Sequence, residues 1–408
     1  MTAPRALGAL AAVGVSAFVL SGCVATTDVP ASATLTVTSS ADACAVSSDT
    51  AVSGTLAFEI ENTGDEITEF YLLAEDGVQI VAEAENIAPG TTRTLTLVAQ
   101  PGEYVTLCKP GMTGDGVGRA AFTVTGERVE GGGADAQLRD QAVAQYADYV
   151  RDEVDDLVPA VATLADAYAS GDDEAARSAW TAARVHYERI EPVAEALGDL
   201  DPKIDYRELD AAAEGLEWTG FHRMEKDLWI PGEDAVNSDG VTPAWQDWEP
   251  STGAERQAYA DALVADVQAL WDYVHGEDFS QTLEDQGVAS LSNGAIALLD
   301  EVAHGKITGE EDWWSRTDLY DFAANVEGSQ MAFTLVHDVA AATPSGAELA
   351  EQIEDGYADL EAALAEYGSL EDGYVGYDTV TESERADLTA LINALAEPLS
   401  QLTATVLS

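Results

Sequence analysis

Two glutamates three residues apart mark the first segment that could do chemistry. Glu188 and Glu191 lie in a stretch with helical periodicity, so both side chains fall on one face of the predicted helix. Like charges at that spacing repel unless a cation, a proton or a basic side chain lies between them. Pro192 follows directly, and a proline inside a helix kinks the chain. On spacing alone, an exposed acidic face explains the pair more simply than a cation site does.

A second pair combines an imidazole with a carboxylate. His222 and Glu225 are three residues apart and share a helical stripe with Trp218 and Trp229, so we expect them to face the protein interior. Bundles with di-iron centres present a Glu and a His at this spacing in the reverse order. A buried histidine that is hydrogen-bonded to its neighbouring glutamate is an equally good interpretation of the pattern.

Two further segments add carboxylates. Asp205 ends an acidic connection that starts at Asp199, and Glu301 lies on a later predicted helix. The sequence has no phosphate-binding loop, no GxGxxG after a strand, no GxSxG and no HExxH, so the usual motifs of nucleotide-binding and hydrolytic enzymes are missing. The carboxylates and the HxxE pair are therefore the candidate chemistry of this chain.

The composition limits the classes of function. The 408 residues include 75 acidic and 18 basic side chains, which gives a formal charge of −57. Such a surface repels phosphate backbones, and no dense group of lysines and arginines is present, so nucleic-acid binding is excluded. Apolar residues make up 46%, which is enough for packed cores, and the length predicts two or three domains. The surplus of acids keeps an exported protein soluble and also suits a protein that handles cations.

The N-terminal residues predict export. Residues 1–23 hold one arginine, a short apolar stretch at 7–20 and a Leu-Ser-Gly-Cys sequence that ends at Cys23. This is typical of a bacterial lipoprotein signal peptide, with Cys23 as the lipidated residue and 24–32 as a tether. No later stretch reaches the roughly 18 apolar residues of a membrane span. We therefore expect the domains to lie in the periplasm or cell envelope, held by lipid to the outer face of the cell membrane.

An all-β region and a linker come next. Residues 33–127 alternate apolar and polar side chains, with turn sequences such as Asn62-Thr63-Gly64-Asp65 between the runs. This pattern predicts a β-sandwich. Cys44 and Cys108 both lie in it, and the redox state of an exported protein permits them to pair in a disulfide. A glycine-rich linker at 128–136 ends the pattern.

Residues 137–408 predict an all-α bundle. Apolar residues recur with period 3.6 from 143 to 164, and the same period continues in seven later stretches, 173–197, 206–229, 255–275, 286–304, 317–341, 346–367 and 381–406. Asp172-Asp173 and the capping box Thr308-x-x-Glu311 predict helix starts. Eight helices are enough for two four-helix halves.

Five segments of this region, taken together, resemble a known family. They are Tyr187-Glu188-Arg189-Ile190-Glu191-Pro192, Asp201-Pro202-x-x-Asp205, Trp218-Thr219-Gly220-Phe221-His222-Arg223-x-Glu225, Lys306-Ile307-Thr308-Gly309-Glu310-Glu311 with Thr317-Asp318-Leu319, and Leu395-Ala396-Glu397-Pro398-Leu399. In this order they are similar to the EfeO branch of the imelysin-like family, across residues 135–408. Residues 85–90 and 101–104, followed by Cys108, resemble the cupredoxin-like domain that precedes the imelysin-like domain in full-length EfeO proteins.

The resemblance implies iron capture. EfeO proteins are exported components of ferrous-iron uptake systems that work beside a membrane iron permease and a haem-dependent peroxidase. The metal site of the family and its HxxE motif map onto the residues singled out above, namely Glu188, Glu191, Asp205, Glu301, His222 and Glu225. An all-oxygen site suits Fe3+ or another hard cation, whereas a site that includes His222 also suits Fe2+ or zinc.

In the β-domain, the candidate residues of the family map to Cys44, Glu69 and Cys108. All five histidines of the chain follow the linker, so a blue-copper site with two histidines and a cysteine cannot form in the sandwich. The two cysteines are then either soft ligands, for copper among other metals, or a disulfide between distant strands. Export favours the disulfide as the resting state.

Three hypotheses of function follow. In the first, the chain is a non-enzymatic, lipid-anchored protein that binds iron through the bundle carboxylates and delivers it to the permease, with oxidation of Fe2+ on the way left open. In the second, it is a metal-dependent peptidase of the imelysin type, although its HxxE lacks the second histidine of a zincin helix. In the third, its acids bind cations without specificity. We carry the first forward as the expectation.

Overall fold

The computed structural model describes residues 33–112, 114–129 and 135–408. The predicted signal peptide with Cys23, the tether at 24–32 and the linker glycines at 131–133 lie outside these residues. Within the described ranges, no helix is both long and apolar enough to cross a membrane.

Nine strands form two sheets in the described part of the N-terminal region. They are β1 (Ala33–Ser40), β2 (Ala43–Val46), β3 (Thr50–Val52), β4 (Gly54–Asn62), β5 (Thr68–Leu73), β6 (Ile80–Ile87), β7 (Thr92–Ala99), β8 (Gly102–Pro110) and β9 (Val117–Thr125). One sheet has the order β2-β1-β4-β7, and the other has the order β3-β9-β8-β5-β6. Strands β1 and β4 are parallel, as are β3 and β9. The predicted all-β region is confirmed.

The alternation of side chains along the strands builds the core between the sheets. On β4 every second residue is buried, because successive side chains of a strand point to opposite faces. The ring centroid of Phe58 lies 5.1 Å from that of Phe70 and 5.7 Å from that of Phe122, both on the second sheet. A disulfide between Cys44 of β2 and Cys108 of β8 joins the two sheets.

Thirteen α-helices follow within residues 135–408. They are α1 (Ala136–Ser170), α2 (Asp173–Glu188), α3 (Glu191–Glu195), α4 (Asp201–Ile204), α5 (Glu208–Glu214), α6 (Gly220–Leu228), α7 (Gly253–Val274), α8 (Glu277–Gln286), α9 (Val288–His304), α10 (Asp318–Ala340), α11 (Pro344–Leu364), α12 (Glu382–Leu399) and α13 (Leu402–Val406). A small hairpin of β10 (Gly368–Ser369) and β11 (Gly373–Tyr374) lies between α11 and α12. The predicted change from strands to a helical bundle is confirmed.

Two predicted helices near the candidate residues are broken into shorter ones. The stretch 173–197 divides because α2 ends at Glu188 and α3 begins at Glu191. Pro192 lacks the N–H that would continue the first helix, and it occupies the first turn of the second. The stretch 206–229 divides after α5 at Gly215, whose backbone is left-handed with φ 70°. The kink predicted at Pro192 is therefore a complete helix end.

One of the two predicted helix starts is wrong. Asp172 caps α2 by accepting from the N–H of Ala175, as expected. Thr308, however, donates to the carbonyl of Gly305, and Glu311 is turned into the bundle with 8% of its surface exposed. The next helix begins only at Asp318. Buried basic groups hold the Glu311 carboxylate, so it is not available to cap a helix.

The β-domain docks directly onto the bundle. Arg93 of β7 forms a two-bond ion pair with Asp300 of α9, with nitrogen to oxygen distances of 2.6 and 2.8 Å. The N–H of Ile80 donates to the carbonyl of Ala196 at 3.0 Å. Between the two parts lies a cleft of about 1110 Å³ that both of them line. We call it the interdomain cleft.

Candidate metal centre

Three of the predicted ligands converge in the bundle. Glu188, Glu191 and Asp205 place carboxylate oxygens within 4.8 Å of one another, and all three residues are buried. Glu188 is the last residue of α2 and Glu191 the first of α3, while Asp205 directly follows α4. The break between α2 and α3 therefore lies within the site. We call these three residues the carboxylate trio.

An amide on α10 holds two members of the trio. The side-chain nitrogen of Asn325 donates to the backbone carbonyl of Glu188 at 2.8 Å and to its Oε2 at 3.2 Å. The same nitrogen lies 3.1 Å from Oε2 of Glu191. Both carboxylates are thereby fixed where α2 ends and α3 begins.

A buried arginine lies behind the trio. Arg184 is one turn before Glu188 on α2 and is fully buried. Its guanidinium donates to Glu188 and to Asp205, and its Nε donates to Oδ2 of Asp321 on α10 at 3.0 Å. Glu311 lies 3.4 Å from the same guanidinium. Arg184 therefore compensates part of the buried negative charge, which would otherwise be costly to desolvate.

A buried lysine lies between the trio and Glu301. The Nζ atom of Lys306 is 2.5 Å from Oε2 of Glu188, 3.1 Å from Oε2 of Glu191 and 3.2 Å from Oε2 of Glu301. Lys306 belongs to a short 3₁₀ turn that follows α9, and only 1% of its surface is exposed. Its ammonium group occupies the space where three predicted ligands meet.

Burial changes the protonation of these groups. It raises the pKa of Glu188 to about 7, although Lys306 and Arg184 oppose the shift. Burial and the neighbouring Glu188 raise the pKa of Glu191 well above its ordinary value. For Lys306, burial acts to lower the pKa, but Glu188, Glu191 and other acids outweigh it and hold the pKa well above the ordinary value. The lysine therefore stays charged among acids that hold protons more readily than usual.

His222 joins the site on the side of Asp205. Its Nδ1 lies 3.1 Å from Oε2 of Glu225, and its Nε2 lies 3.3 Å from both Asp205 and Glu311. Burial alone would lower the pKa of His222, but Asp205 and the other acids raise it well above the ordinary value. As an imidazolium, His222 is a third positive group that faces the carboxylates.

Glu225 holds the histidine in place. Its Oε1 accepts from the backbone N–H groups of Trp314 at 2.9 Å and Ser315 at 2.7 Å, while its Oε2 faces His222. Both carboxylate oxygens are thus engaged. The hydrogen-bonded His–Glu pair considered in the sequence is what the structure contains, and the second imidazole nitrogen still reaches the acids of the site.

Glu301 lies apart from the trio. It is on α9, on the cleft side of Lys306, and 28% of its side chain is exposed. Its carboxylate groups with Glu85 and Glu195 rather than with Glu188 and Glu191. The predicted set of ligands is therefore divided by the ammonium group of Lys306.

The β-domain candidates do not meet. Cys44 and Cys108 form a disulfide, so neither sulfur is a thiolate ligand in this structure. In the register of β5 and β8, Phe70 faces Cys108 whereas Glu69 faces Lys109. Because neighbouring residues of a strand point to opposite faces, Glu69 and the disulfide lie on opposite sides of the sheet. A site made of all three residues is not formed.

Sequence reasoning missed several groups of the site. They are Arg184, Lys306, Glu311, Asp312, Asp321 and Asn325. Arg184 lies four residues before Glu188, and that spacing could have predicted their contact. Lys306 and Glu311 belong to a segment that carries the family resemblance, but no local spacing connects them to α2.

The arrangement is suited to binding a hard cation. The trio offers oxygen ligands, and it opens toward the interdomain cleft, whose lining includes Glu191, Asp205 and Glu311. Oδ1 of Asp321 and Oδ1 of Asp312 are buried and have no hydrogen-bond partner among the described residues, although Nε of Arg184 lies 3.7 Å from Oδ1 of Asp312. Unfilled acceptor oxygens of this kind favour a cation nearby.

The amino-acid sequence is similar to a known family and to two proteins of known name. Residues 142–402 match the family model described as imelysin. The iron uptake system component EfeO of Yersinia pestis is 35% identical over 355 residues, which covers 86% of this chain and 86% of that protein. The component of the same name from Escherichia coli O1:K1 is 36% identical over 358 residues, with 86% and 85% covered. These matches are longer than the helical region, so the similarity extends into the β-domain.

Proposed function

The chain belongs to the imelysin family, in its EfeO branch, and from this we propose that it is the iron-binding component of an iron uptake system. In this proposal the bundle carboxylates take up the iron. The name of the relatives, iron uptake system component, supports the general role.

The carboxylate trio is the observation that carries the proposal. Glu188, Glu191 and Asp205 offer oxygens close enough for one cation to bind, in a buried pocket beside the interdomain cleft. Carboxylate oxygens are the ligands that Fe3+ and other hard cations prefer, and His222 extends the set toward Fe2+. A cation of higher charge than the Lys306 ammonium would compensate the acids more completely.

Lys306 adapts the site to reversible binding. To reach Glu188 and Glu191, an iron ion must displace the ammonium group that contacts both of them. The contacts that the lysine loses are subtracted from the binding free energy, so the affinity is lower than that of the same ligands without the lysine. A protein that passes its cargo on needs such a limit, because very tight binding would prevent release.

We extend the proposal to the location and the partners of the protein. The lipoprotein signal predicted at 1–23, with Cys23 as the lipidated residue, supports anchoring at the outer face of the cell membrane. There the protein would deliver iron to a membrane permease and work beside a haem-dependent peroxidase. Cys23→Ser should release the protein from the membrane fraction; retention of this variant in washed membranes would contradict the lipid anchor.

Peptidase activity is not part of the proposal. A zincin site needs two histidines one helical turn apart and a third ligand, and the sequence has no HExxH. In the candidate metal groupings found among the described side chains, His222 is the one histidine. Its two nitrogens face carboxylates, which is an arrangement for charge compensation.

A competition titration at about 0.15 M salt tests the proposal, because salt suppresses nonspecific binding to an acidic surface. The protein, from residue 24 onward, is titrated with Fe2+ without oxygen, with chelated Fe3+, and with Zn2+ and Cu2+. The site variant is Glu188→Gln/Glu191→Gln. The matched control is Glu348→Gln/Glu351→Gln, two exposed acids at the same spacing on α11.

We expect a saturable iron site that depends on the trio in the wild type and in the control. In the site variant its affinity should fall at least about tenfold, since loss of even an outer partner of a metal ligand typically costs 10-fold to 100-fold. Equal affinities in both variants would show that the acids bind cations without specificity.

A further inference from the structure

A second group of carboxylates lies across the domain interface. Glu85 on β6, Glu195 at the end of α3 and Glu301 on α9 place oxygens within 4.8 Å of one another. One of them belongs to the β-domain and two belong to the bundle, and all three line the interdomain cleft. We call them the interface acids.

The docking contacts hold these residues together. Arg93 donates to the backbone carbonyl of Glu85 at 2.7 Å and forms the ion pair with Asp300, the neighbour of Glu301. The hydrogen bond to Ala196, the neighbour of Glu195, comes from Ile80 on the same strand as Glu85. The same contacts that dock the two domains therefore bring the interface acids together.

A buried amide in the same cleft has an unused oxygen. Asn86 lines the interdomain cleft and is 9% exposed, and its Oδ1 has no hydrogen-bond partner among the described residues. Oε2 of Glu85 is buried and equally without such a partner in that part of the chain. Leaving a buried acceptor unsatisfied costs free energy, so each such atom needs an explanation. A cation bound between them supplies one.

A β-bulge in β6 contains both Glu85 and Asn86. The pairing of β5 and β6 shifts register between Thr68 and Phe70, so that two residues of β6, Glu85 and Asn86, lie opposite one residue of β5. Asn86 adopts a left-handed backbone with φ 53°, which few residues other than Gly, Asn and Asp tolerate. Bulges of this kind often re-aim side chains next to functional sites.

The charges in the cleft are unbalanced. Glu83, on the same face of β6 as Glu85, adds a fourth carboxylate to the cleft lining. Lys109 also lines the cleft, but it is paired with Glu214 at 2.9 Å. The ammonium group of Lys306 reaches Glu301 at 3.2 Å but is shared with the trio. A cation in the cleft would relieve the repulsion among these carboxylates.

We propose that Glu85, Glu195 and Glu301, with the side-chain oxygen of Asn86, form a second cation site that exists only when the two domains are docked. Its ligands are all oxygen, so it takes a hard divalent or trivalent cation. Lys306 separates it from the carboxylate trio, since its Nζ contacts both Glu301 and Glu191. The interface acids are partly exposed whereas the trio is buried, so the second site is the outer one and the trio is the inner one.

Titration with Mn2+ alone tests the outer site independently of the inner one. Mn2+ is a hard cation that stays soluble at neutral pH, and its free concentration is read from the electron paramagnetic resonance signal. The protein from residue 24 onward is compared with an outer variant, Glu85→Gln/Glu195→Gln, and an inner variant, Glu188→Gln/Glu191→Gln. Glu59→Gln/Glu61→Gln, two exposed acids of β4, is the control.

The wild type and the control should bind two Mn2+ ions, and each of the other variants should lose a different one, with a fall in affinity of at least about tenfold. Two ions bound with unchanged affinity by a folded outer variant would overturn the outer site. Loss of an ion only in the outer variant would support the outer site and remove the inner one, so the two proposals fail separately.

A substitution at Asn86 gives a second test, in which the expected result is a gain in affinity. Asn86→Asp adds a negative charge at a buried oxygen of the cleft lining and tolerates the left-handed backbone, so we expect at least about a threefold gain in affinity for the outer Mn2+ ion. An unchanged outer affinity in this variant would exclude Asn86 as a ligand.

Discussion

The ammonium nitrogen of Lys306 lies 2.5 Å from Oε2 of Glu188, inside the bundle and at the meeting point of the predicted ligands. This contact makes the lysine an internal competitor for any cation that the carboxylate trio binds. It also explains how acids this close together can be buried, because a charged group of the protein compensates them when no metal is bound.

We predict that Lys306→Met raises the affinity of the inner site for Fe2+ by about tenfold or more, since a fixed positive charge within contact distance is removed. The metal-free variant should also be less stable, because Glu188 and Glu191 lose a buried partner. Anaerobic titration and thermal unfolding measure the two effects. Lys203→Met, at an exposed lysine, is the control, and a lower iron affinity in Lys306→Met would mean that the lysine positions the ligands instead.

The affinity of the inner site for a divalent cation should rise with pH across the neutral range. The pKa of Glu188 is raised to about 7, so below that pH the carboxyl holds a proton that the metal must displace, and above it the ligand is already ionised. Each displaced proton contributes up to about a tenfold change per pH unit. Mn2+ titrations between about pH 5.5 and 8 measure the slope. A flat profile would mean that Glu188 is not a ligand.

The same shift predicts how the metal-free protein responds to pH. A carboxyl whose pKa is higher in the folded state than in the unfolded state favours folding while it is protonated. Its contribution is complete below the ordinary value of 4.5 and is lost as the pH rises to about 7. Urea unfolding of the wild type and of Glu188→Gln should therefore converge at low pH and diverge near neutrality, with the variant more resistant.

Arg184 is expected to be essential for stability. Its removal in Arg184→Met leaves Asp205, Glu188 and Asp321 without their shared partner, and breaking a buried ion pair typically costs about 3–5 kcal/mol. Arg128→Met is the control, because Arg128 pairs with Asp285 while 53% of its side chain is exposed, and an exposed salt bridge contributes about 1 kcal/mol or less. Chemical denaturation followed by circular dichroism compares them; equal losses would contradict the role given to the buried network.

The disulfide should stabilise the β-domain without affecting the inner site. Cys44 and Cys108 are 64 residues apart in the chain, and loss of a native disulfide typically lowers the free energy of unfolding by about 2–5 kcal/mol. We expect this loss in Cys44→Ser/Cys108→Ser, with iron affinity unchanged. Thiol titration of the oxidised protein, with residue 23 absent, should detect no free thiol. Two reactive thiols would restore the soft-ligand hypothesis.

Much of the fold could be predicted because its signals are local. The period-two runs of β4 and β7 and the period-3.6 stripe of α1 each depend on neighbours in the sequence. The split of the stretch 173–197 was only partly visible, since Pro192 predicts a kink and not the end of α2. The capping box at Thr308 failed because the charges that hold Glu311 come from distant helices.

In the candidate site, too, the groups with a local sequence signal were predicted and those brought in by packing were not. Glu188 and Glu191 were found from their spacing, and Asp205 from the resemblance to the family. Arg184 and Lys306, which decide the charge of the site, come from α2 and from the turn after α9, and only packing brings them together. Glu69 was grouped with the two cysteines from the resemblance to the family. The sheet face on which it lies relative to Cys108 depends on strand pairing, which no local pattern specifies.

Strand β6 carries core residues on one face and two cleft glutamates on the other, and these two roles restrict which changes of sequence the strand tolerates. Ala82 and Ala84 are buried in the sandwich, whereas Glu83 and Glu85 line the cleft. Inserting or deleting one residue near the start of β6 would exchange the two faces. Glutamates would then enter the core while alanines faced the bundle. Insertions and deletions should therefore be tolerated in the turns beside β6 but not within the strand. The requirement to fold thus preserves the spacing of the acids.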